Sequence, residues 1–135
     1  MDRIEWNDSY LLGIPEIDNQ HKKLLKIANN LYESFEDETH SYKLTMSKVL
    51  KELTDYTEYH FSFEEKFMRK YNYAGADTHK AAHDGFIAAV NSQIRNLSAE
   101  NRTAALAFYK YIVNWILVHI AKADRIWADY VKPQL

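Results

Sequence analysis

Five histidines and two carboxylates in this 135-residue chain stand at spacings that suit metal coordination. His60 and Glu64 are four residues apart, as are His79 and His83. On a helix, residues i and i+4 lie on one face a turn apart, so each pair can aim two donors at one point. His119 and Asp124 are five apart, and ideal helical geometry sets them about 140° apart around the axis. Two arrangements would relieve this: Asp124 spans to a second ion, or the helix widens locally by a π-bulge. His21 stands alone. Any one of these fragments is common on helix surfaces; their coincidence is the signal. Several imidazoles buried in one small core need partners, and a metal ion is the economical one.

The donor set narrows the metal. Cysteine is absent, which excludes disulfides, thiolate zinc sites and thiolate-held iron–sulfur clusters. Histidine with carboxylate suits iron, manganese or zinc. Five histidines supply five bonds, and Glu64 and Asp124 supply four if each bridges two ions. A bridging oxide or hydroxide adds two, which leaves one position open of the roughly twelve that two octahedral ions require. Such a pair of ions suits iron and dioxygen. Oxygen-activating di-iron bundles use Glu-x-x-His pairs and about four carboxylates. This chain has no Glu-x-x-His pair, and its candidate site has two carboxylates. That balance favours reversible binding over oxidation chemistry.

The elements that must position these donors are helices. Three glycines and two prolines are too few for the turns of an all-β chain of this length. Ile17, His21, Leu24, Ala28, Leu31 and Phe35 form one amphipathic stripe, beginning near Pro15, with Asp18 adding favourable negative charge. Met46, Val49, Leu53, Tyr56, His60, Phe63 and Phe67 form a second. It is expected to stop before Asn72-Tyr73-Ala74-Gly75, with Gly75 as the left-handed cap. His79, His83, Phe86, Val90, Ile94 and Leu97 form a third, with Asp77 or Thr78 as its cap. Leu106, Tyr109, Val113, Ile116, Ile120 and Trp127 form a fourth, running nearly to Pro133. The predicted fold is all-α: an up-down-up-down antiparallel four-helix bundle over residues 15–135, with an N-terminal arm, residues 1–14, packed across it through Trp6 and Tyr10. Together these make one domain, residues 1–135. Every helix then contributes at least one donor.

A formal net charge of −2 gives no electrostatic case for nucleic acid or an anionic membrane. The most apolar stretch, residues 104–123, is interrupted by Lys110, Asn114, His119 and Lys122, which argues for a core helix and against membrane insertion. No signal-peptide pattern is visible near the N-terminus, so a cytoplasmic location is expected. His40 lies in a polar connection and reads as a solvated residue, outside the ligand set. The ten tyrosines read as amphipathic packing.

These residues together resemble the hemerythrin family, and within it the single-domain bacteriohemerythrin branch. The resemblance runs over essentially the whole chain. It rests on Trp6 and Gly13, Ile17-Asp18-Asn19-Gln20-His21-Lys22, His60-Phe61-Ser62-Phe63-Glu64-Glu65 with Met68, His79-Lys80-Ala81-Ala82-His83, and Trp115-Ile116-Leu117-Val118-His119-Ile120 with Asp124. It implies a non-haem di-iron centre with an oxo or hydroxo bridge that binds O2 reversibly, for oxygen storage, delivery or sensing, without enzymatic activity. His79, His83 and His119 would hold the six-coordinate iron, His21 and His60 the iron with the open position, and Glu64 and Asp124 would bridge. Two departures are Ala74 after Tyr73, where proline is frequent, and Ile116, where leucine is frequent; the second bears on the oxygen pocket. Leu24, Leu25, Trp115, Ile116 and Ile120 lie within a turn of the ligands and are expected to line that pocket. Gln20 and Glu65 flank ligands and could accept from their ring N–H groups. The alternatives are a di-iron oxidase or peroxidase, or a nitric-oxide- or iron-binding protein, using the same site. With no second domain expected, a freely diffusing monomer or weak homo-oligomer is anticipated, together with an oxygen-consuming partner of unknown identity.

Overall fold

A computed structural model of the chain describes residues 4–36, 42–96 and 102–135. Helix α1 spans Pro15–Glu36, α2 Tyr42–Lys70, α3 Ala76–Asn96 and α4 Arg102–His119. Beyond α4 the chain makes a π-helical turn, Ile120–Asp124, and continues as α5, Arg125–Val131. These last three segments form one continuous fourth rod, because the backbone on both sides of the turn is right-handed helical. Helix α1 packs against α2 and α4, and α2 against α3, in the up-and-down order of a four-helix bundle. His40, the polar run at 37–41 and Leu97 lie outside the described residues, as do the side chains of Phe35 and Met46.

Periodicity accounts for the interior. Ile17, Leu24, Ala28 and Leu31 of α1 are buried, as are Leu53 of α2, Phe86 and Val90 of α3, and Ile112, Ile116 and Ile120 of the fourth rod. Each fully buried Leu or Ile contributes about 1.5–3 kcal/mol of apolar transfer free energy. On α2 the inward face is rotated from the predicted stripe. Phe61, Glu64 and Met68 are buried with His60, whereas Phe63 and Phe67 are half-buried. Apolar periodicity favours the two phenylalanines, but the polar Glu64 holds the central position because histidines from α1 and α3 meet it there.

The arm before Pro15 is tied down by polar contacts. Asp18 accepts from the backbone N–H of Leu12 (2.7 Å) and of Gly13 (3.1 Å), so its carboxylate anchors the arm as well as placing charge near the helix start. The Ile4 N–H donates to the Tyr109 hydroxyl. Tyr109 donates to Asn29 Oδ1, and Asn29 Nδ2 donates back to the Ile4 carbonyl. Trp6 and Tyr10 pack edge-to-face, centroids 5.4 Å apart, against the core.

The end of α2 differs from expectation. Asn72, not Gly75, takes the left-handed conformation, with φ 56°. The Asn72 N–H donates to the Arg69 carbonyl and the Tyr73 N–H to the Met68 carbonyl, the paired bonds of a Schellman cap. Asparagine tolerates this region better than other non-glycine residues. Gly75 serves by its size: a Cβ there would come within 2.7 Å of the Tyr73 ring. Helix α3 starts at Ala76, before the expected capping residues. Asp77 lies in its first turn, pairing with Arg69 at 2.9 Å, and Thr78 is helical. Asn72→Ala is therefore expected to cost about 1 kcal/mol and Asn72→Gly to be neutral or slightly stabilising, as read from urea unfolding. Equal losses from both substitutions would contradict the backbone argument.

Candidate metal centre

The bundle brings all seven predicted donors into one buried cluster. Glu64, His79, His83, His119 and Asp124 form one group whose donor atoms lie within 4.8 Å of one another; His21, His60 and Glu64 form a second. His21, Glu64 and His83 are wholly shielded from solvent. Glu64 Oε2 faces His21 Nε2 (3.1 Å) and His60 Nε2 (3.3 Å). Glu64 Oε1 faces His83 Nε2 (3.3 Å) and His79 Nε2 (3.7 Å). Asp124 Oδ1 faces His79 Nε2 (2.9 Å) and His119 Nε2 (3.2 Å), and Oδ2 faces His21 Nε2 (3.2 Å). Each carboxylate thus turns one oxygen toward the set His79, His83, His119 and the other toward the set His21, His60.

Both ways of relieving the five-residue separation of His119 and Asp124 are present. The π-helical turn spans Ile120–Asp124, and Asp124 also reaches across to His21. The turn's wider winding swings Asp124 inward to join His119.

Outer contacts fix how the rings present their nitrogens. His60 Nδ1 donates to Gln20 Oε1 at 2.7 Å, and His83 Nδ1 donates to Glu65 Oε2 at 2.9 Å. In a neutral imidazole, a proton held on Nδ1 leaves the Nε2 lone pair free. By accepting there, the two residues suggested by sequence leave the Nε2 lone pairs of His60 and His83 facing the cluster. Three further residues escaped sequence reasoning as contributors. Phe61 stacks on His83 (3.7 Å, 3°) and Trp115 on His119 (4.4 Å, 12°). Trp127 donates its indole N–H to Asp124 Oδ1 at 3.0 Å. Trp115 was expected only in the pocket wall. Phe61 gave no signal beyond adjacency to His60, and Trp127 read as ordinary core. Its position three residues after Asp124 was the available clue.

The cluster fits a metal ion. His119 Nε2 lies 3.1 Å from Nε2 of both His83 and His79, so ring nitrogens converge on each other. Glu64 Oε1 and Asp124 Oδ2 are buried with no hydrogen-bond partner. Neutral imidazole nitrogens and carboxylates in such contact are a borderline-to-hard donor set that a divalent cation would satisfy.

Without a cation, protons do part of that work. Burial by itself would push His21 down, but Asp124 and Glu64 outweigh it and raise its pKa to about 10. His79 is likewise lowered by burial and raised more by the same two carboxylates, to about 9. Burial pushes Glu64 up, yet His60, His21 and His79 hold it well below its ordinary value. Burial and Glu64 push Asp124 up, and His119, His21 and His79 hold it below the usual carboxylate range. Because His21 and His79 are raised above 6.5, their stabilisation of the metal-free fold is complete below that value and is lost as pH rises through about 9 and 10. Metal-free protein should therefore show a falling Tm over that window, and metal uptake should release protons and strengthen with pH. Calorimetry across the window checks both. A metal-free Tm that is flat or rising there would contradict the assignment.

Of the pocket candidates, Leu24, Leu25, Ile116 and Ile120 are buried and Trp115 is half-buried. Among the described residues no helix is long and apolar enough to cross a membrane.

The comparisons with known proteins agree with this geometry. The family model described as "Hemerythrin HHE cation binding domain" matches residues 12–131. A Clostridium acetobutylicum protein named bacteriohemerythrin is 36% identical over 126 residues, which cover 92% of this chain and 98% of that one. A bacteriohemerythrin of Pseudomonas aeruginosa is 32% identical over 133 residues, covering 98% and 84%. A crystal structure of a hemerythrin variant shares the fold with a TM-score of 0.79 at 24% identity, covering 96% of this chain and 97% of that one.

Proposed function

The chain belongs to the hemerythrin family, and from that premise we propose that it binds dioxygen reversibly at a non-haem di-iron centre, as a carrier, store or sensor of oxygen and not as an enzyme. His79, His83 and His119 would hold one iron and His21 and His60 the other. Glu64 and Asp124 would bridge them beside an oxo or hydroxo bridge. Two irons so held would supply a single open coordination position for O2, on the side with two histidines.

One observation carries this reading: each carboxylate divides its oxygens between a three-histidine and a two-histidine set. That unequal split is what two ions with one vacant position require. The surroundings support binding over turnover. Leu24, Leu25, Ile116 and Ile120 are buried among apolar neighbours, so water and protons have poor access to the cluster. Gln20 and Glu65 hold two of the rings from behind, and Trp127 holds Asp124. The cytoplasm suits such a role, with an oxygen-consuming protein as recipient.

The test is spectroscopic. The reduced, iron-loaded protein is exposed to O2 and then degassed. A visible charge-transfer band that appears with O2 and disappears on degassing is expected. Irreversible oxidation with turnover of a reductant or peroxide would replace the carrier reading with an oxidase or peroxidase. A band with nitric oxide but none with O2 would make it a nitric-oxide-binding protein.

A further inference from the structure

The five clustered histidines differ in their distance from solvent. His21 and His83 are sealed at 0% exposure, whereas His119 is the most open at 9%. His119 lies in an open surface groove of about 300 Å3 along α4, lined also by Tyr111, Trp115, Val118 and Lys122, with Ala82 from α3. Trp115 lies nearly parallel to the His119 ring, 4.4 Å away, and also stacks on Phe86 at 4.0 Å and 17°. A half-buried indole therefore joins the groove to an imidazole of the cluster through π contact. Trp127, the other indole at the cluster, is fully buried and reaches no solvent.

The groove exposes apolar surface. Tyr111 and Val118 are 40% and 45% exposed, apolar groups left facing outward. Charge is also uneven along the sequence. Residues 102–135 carry five basic and two acidic side chains, net +3, whereas residues 1–101 carry 12 and 17, net −5. Asp124, one of those two acids, is buried in the cluster. Lys122 is the charged residue that lines the groove, and no acidic side chain does. On α3, which adds Ala82 to the groove, Lys80 and Asp84 pair with each other at 2.6 Å.

We propose that this groove docks a small acidic electron-transfer protein, and that Trp115 carries the donor's electron to the metal centre through His119. The inference rests on the di-iron reading above. O2 binds to reduced irons, so a centre that has lost its electrons must regain them before it binds again. In each encounter the donor's redox group would lose one electron and one iron would gain it, and a bridge that passes from oxo to hydroxo would take up one proton from solvent. Two encounters restore both irons. The apolar rim supplies a contact patch, and Lys122, in a groove lined by no acidic side chain, steers an acidic partner toward the accessible histidine.

The test mixes the oxidised, iron-loaded protein with photoreduced flavodoxin, an acidic flavoprotein, and follows reduction by stopped flow. Reduction is expected to slow about tenfold or more as salt rises from about 0.01 M to about 1 M. Lys122→Glu should slow it at low salt alone, with O2 affinity unchanged. Trp115→Met, loaded with iron to the wild-type level and compared at equal driving force, should slow it about tenfold at every salt concentration. Val118→Asp should weaken flavodoxin binding about tenfold by titration calorimetry, a readout that does not depend on iron chemistry. Wild-type rates in iron-loaded Trp115→Met would reduce the stack to a structural role and overturn the electron path. Salt-independent reduction, or unchanged binding by Val118→Asp, would overturn the docking site. If the protein holds two irons and binds O2 while these results are negative, the proposal fails and the oxygen-binding reading stands.

Discussion

Glu64→Ala is expected to lower the iron content from about two ions per chain to fewer than one, as measured by elemental analysis of protein reconstituted with excess iron. The reason is geometric. Glu64 is the side chain nearest to both histidine sets, with nitrogens of His21, His60, His83 and His79 between 3.1 and 3.7 Å from its two oxygens. Alanine removes a donor from each prospective ion and half of the buried negative charge that would balance them. Asp124 cannot substitute, because its own contacts are with His21, His79 and His119 and omit His60 and His83. The neighbouring Glu65→Gln provides the contrast. It touches the cluster only from behind, through His83 Nδ1, so it should weaken metal affinity about 10–100-fold while two ions still load at saturating iron. Two irons per chain in Glu64→Ala would show that the bridging assignment is wrong.

The second large effect is on stability. Removing the metal should lower Tm by roughly 15 °C. Ligand linkage contributes about 4 kcal/mol when free metal stands a thousandfold above Kd, and each kcal/mol is worth about 3–5 °C in a domain of this size. The metal-free core must keep five imidazoles and two carboxylates in an apolar interior with histidine protons as the only positive charge among them. That arrangement leaves Glu64 Oε1 and Asp124 Oδ2 without hydrogen bonds. Each such group carries a desolvation cost of about 1–3 kcal/mol. Calorimetry of iron-loaded and chelator-treated protein at one pH measures the difference. Equal Tm values would mean that the histidine cluster is a self-sufficient polar core, and the metal reading would lose its energetic basis.

Much of the architecture was legible before any coordinates. The first stripe, starting near Pro15, corresponds to α1 at Pro15–Glu36, and the fourth runs to Val131 as expected. The donor types and their i,i+4 spacings were readable because helical periodicity is local and rigid. The end of α2 was misread for a local reason: glycine is the commonest left-handed cap, but here the polar asparagine comes first along the chain. On α2, hydrophobicity pointed at Phe63 and Phe67, while burial selected Phe61 and Glu64. No local rule predicts that a glutamate should occupy the centre.

The sequence by itself determined which atoms were available: nitrogen and oxygen donors without sulfur, an odd number of core histidines, and a backbone with too few breakers to be anything but long helices. Tertiary structure decided how those donors divide. Contacts between residues on different helices set which oxygen faces which ring, and the outer acceptors Gln20 and Glu65 set which nitrogen points inward. Of the two solutions left open for Asp124, the fold adopts both, since the π turn brings it to His119 and the bundle brings His21 to its other oxygen. Periodicity specifies the face of a helix, whereas a coordination sphere depends on the rotation and height of four helices against one another, which packing of the whole core fixes.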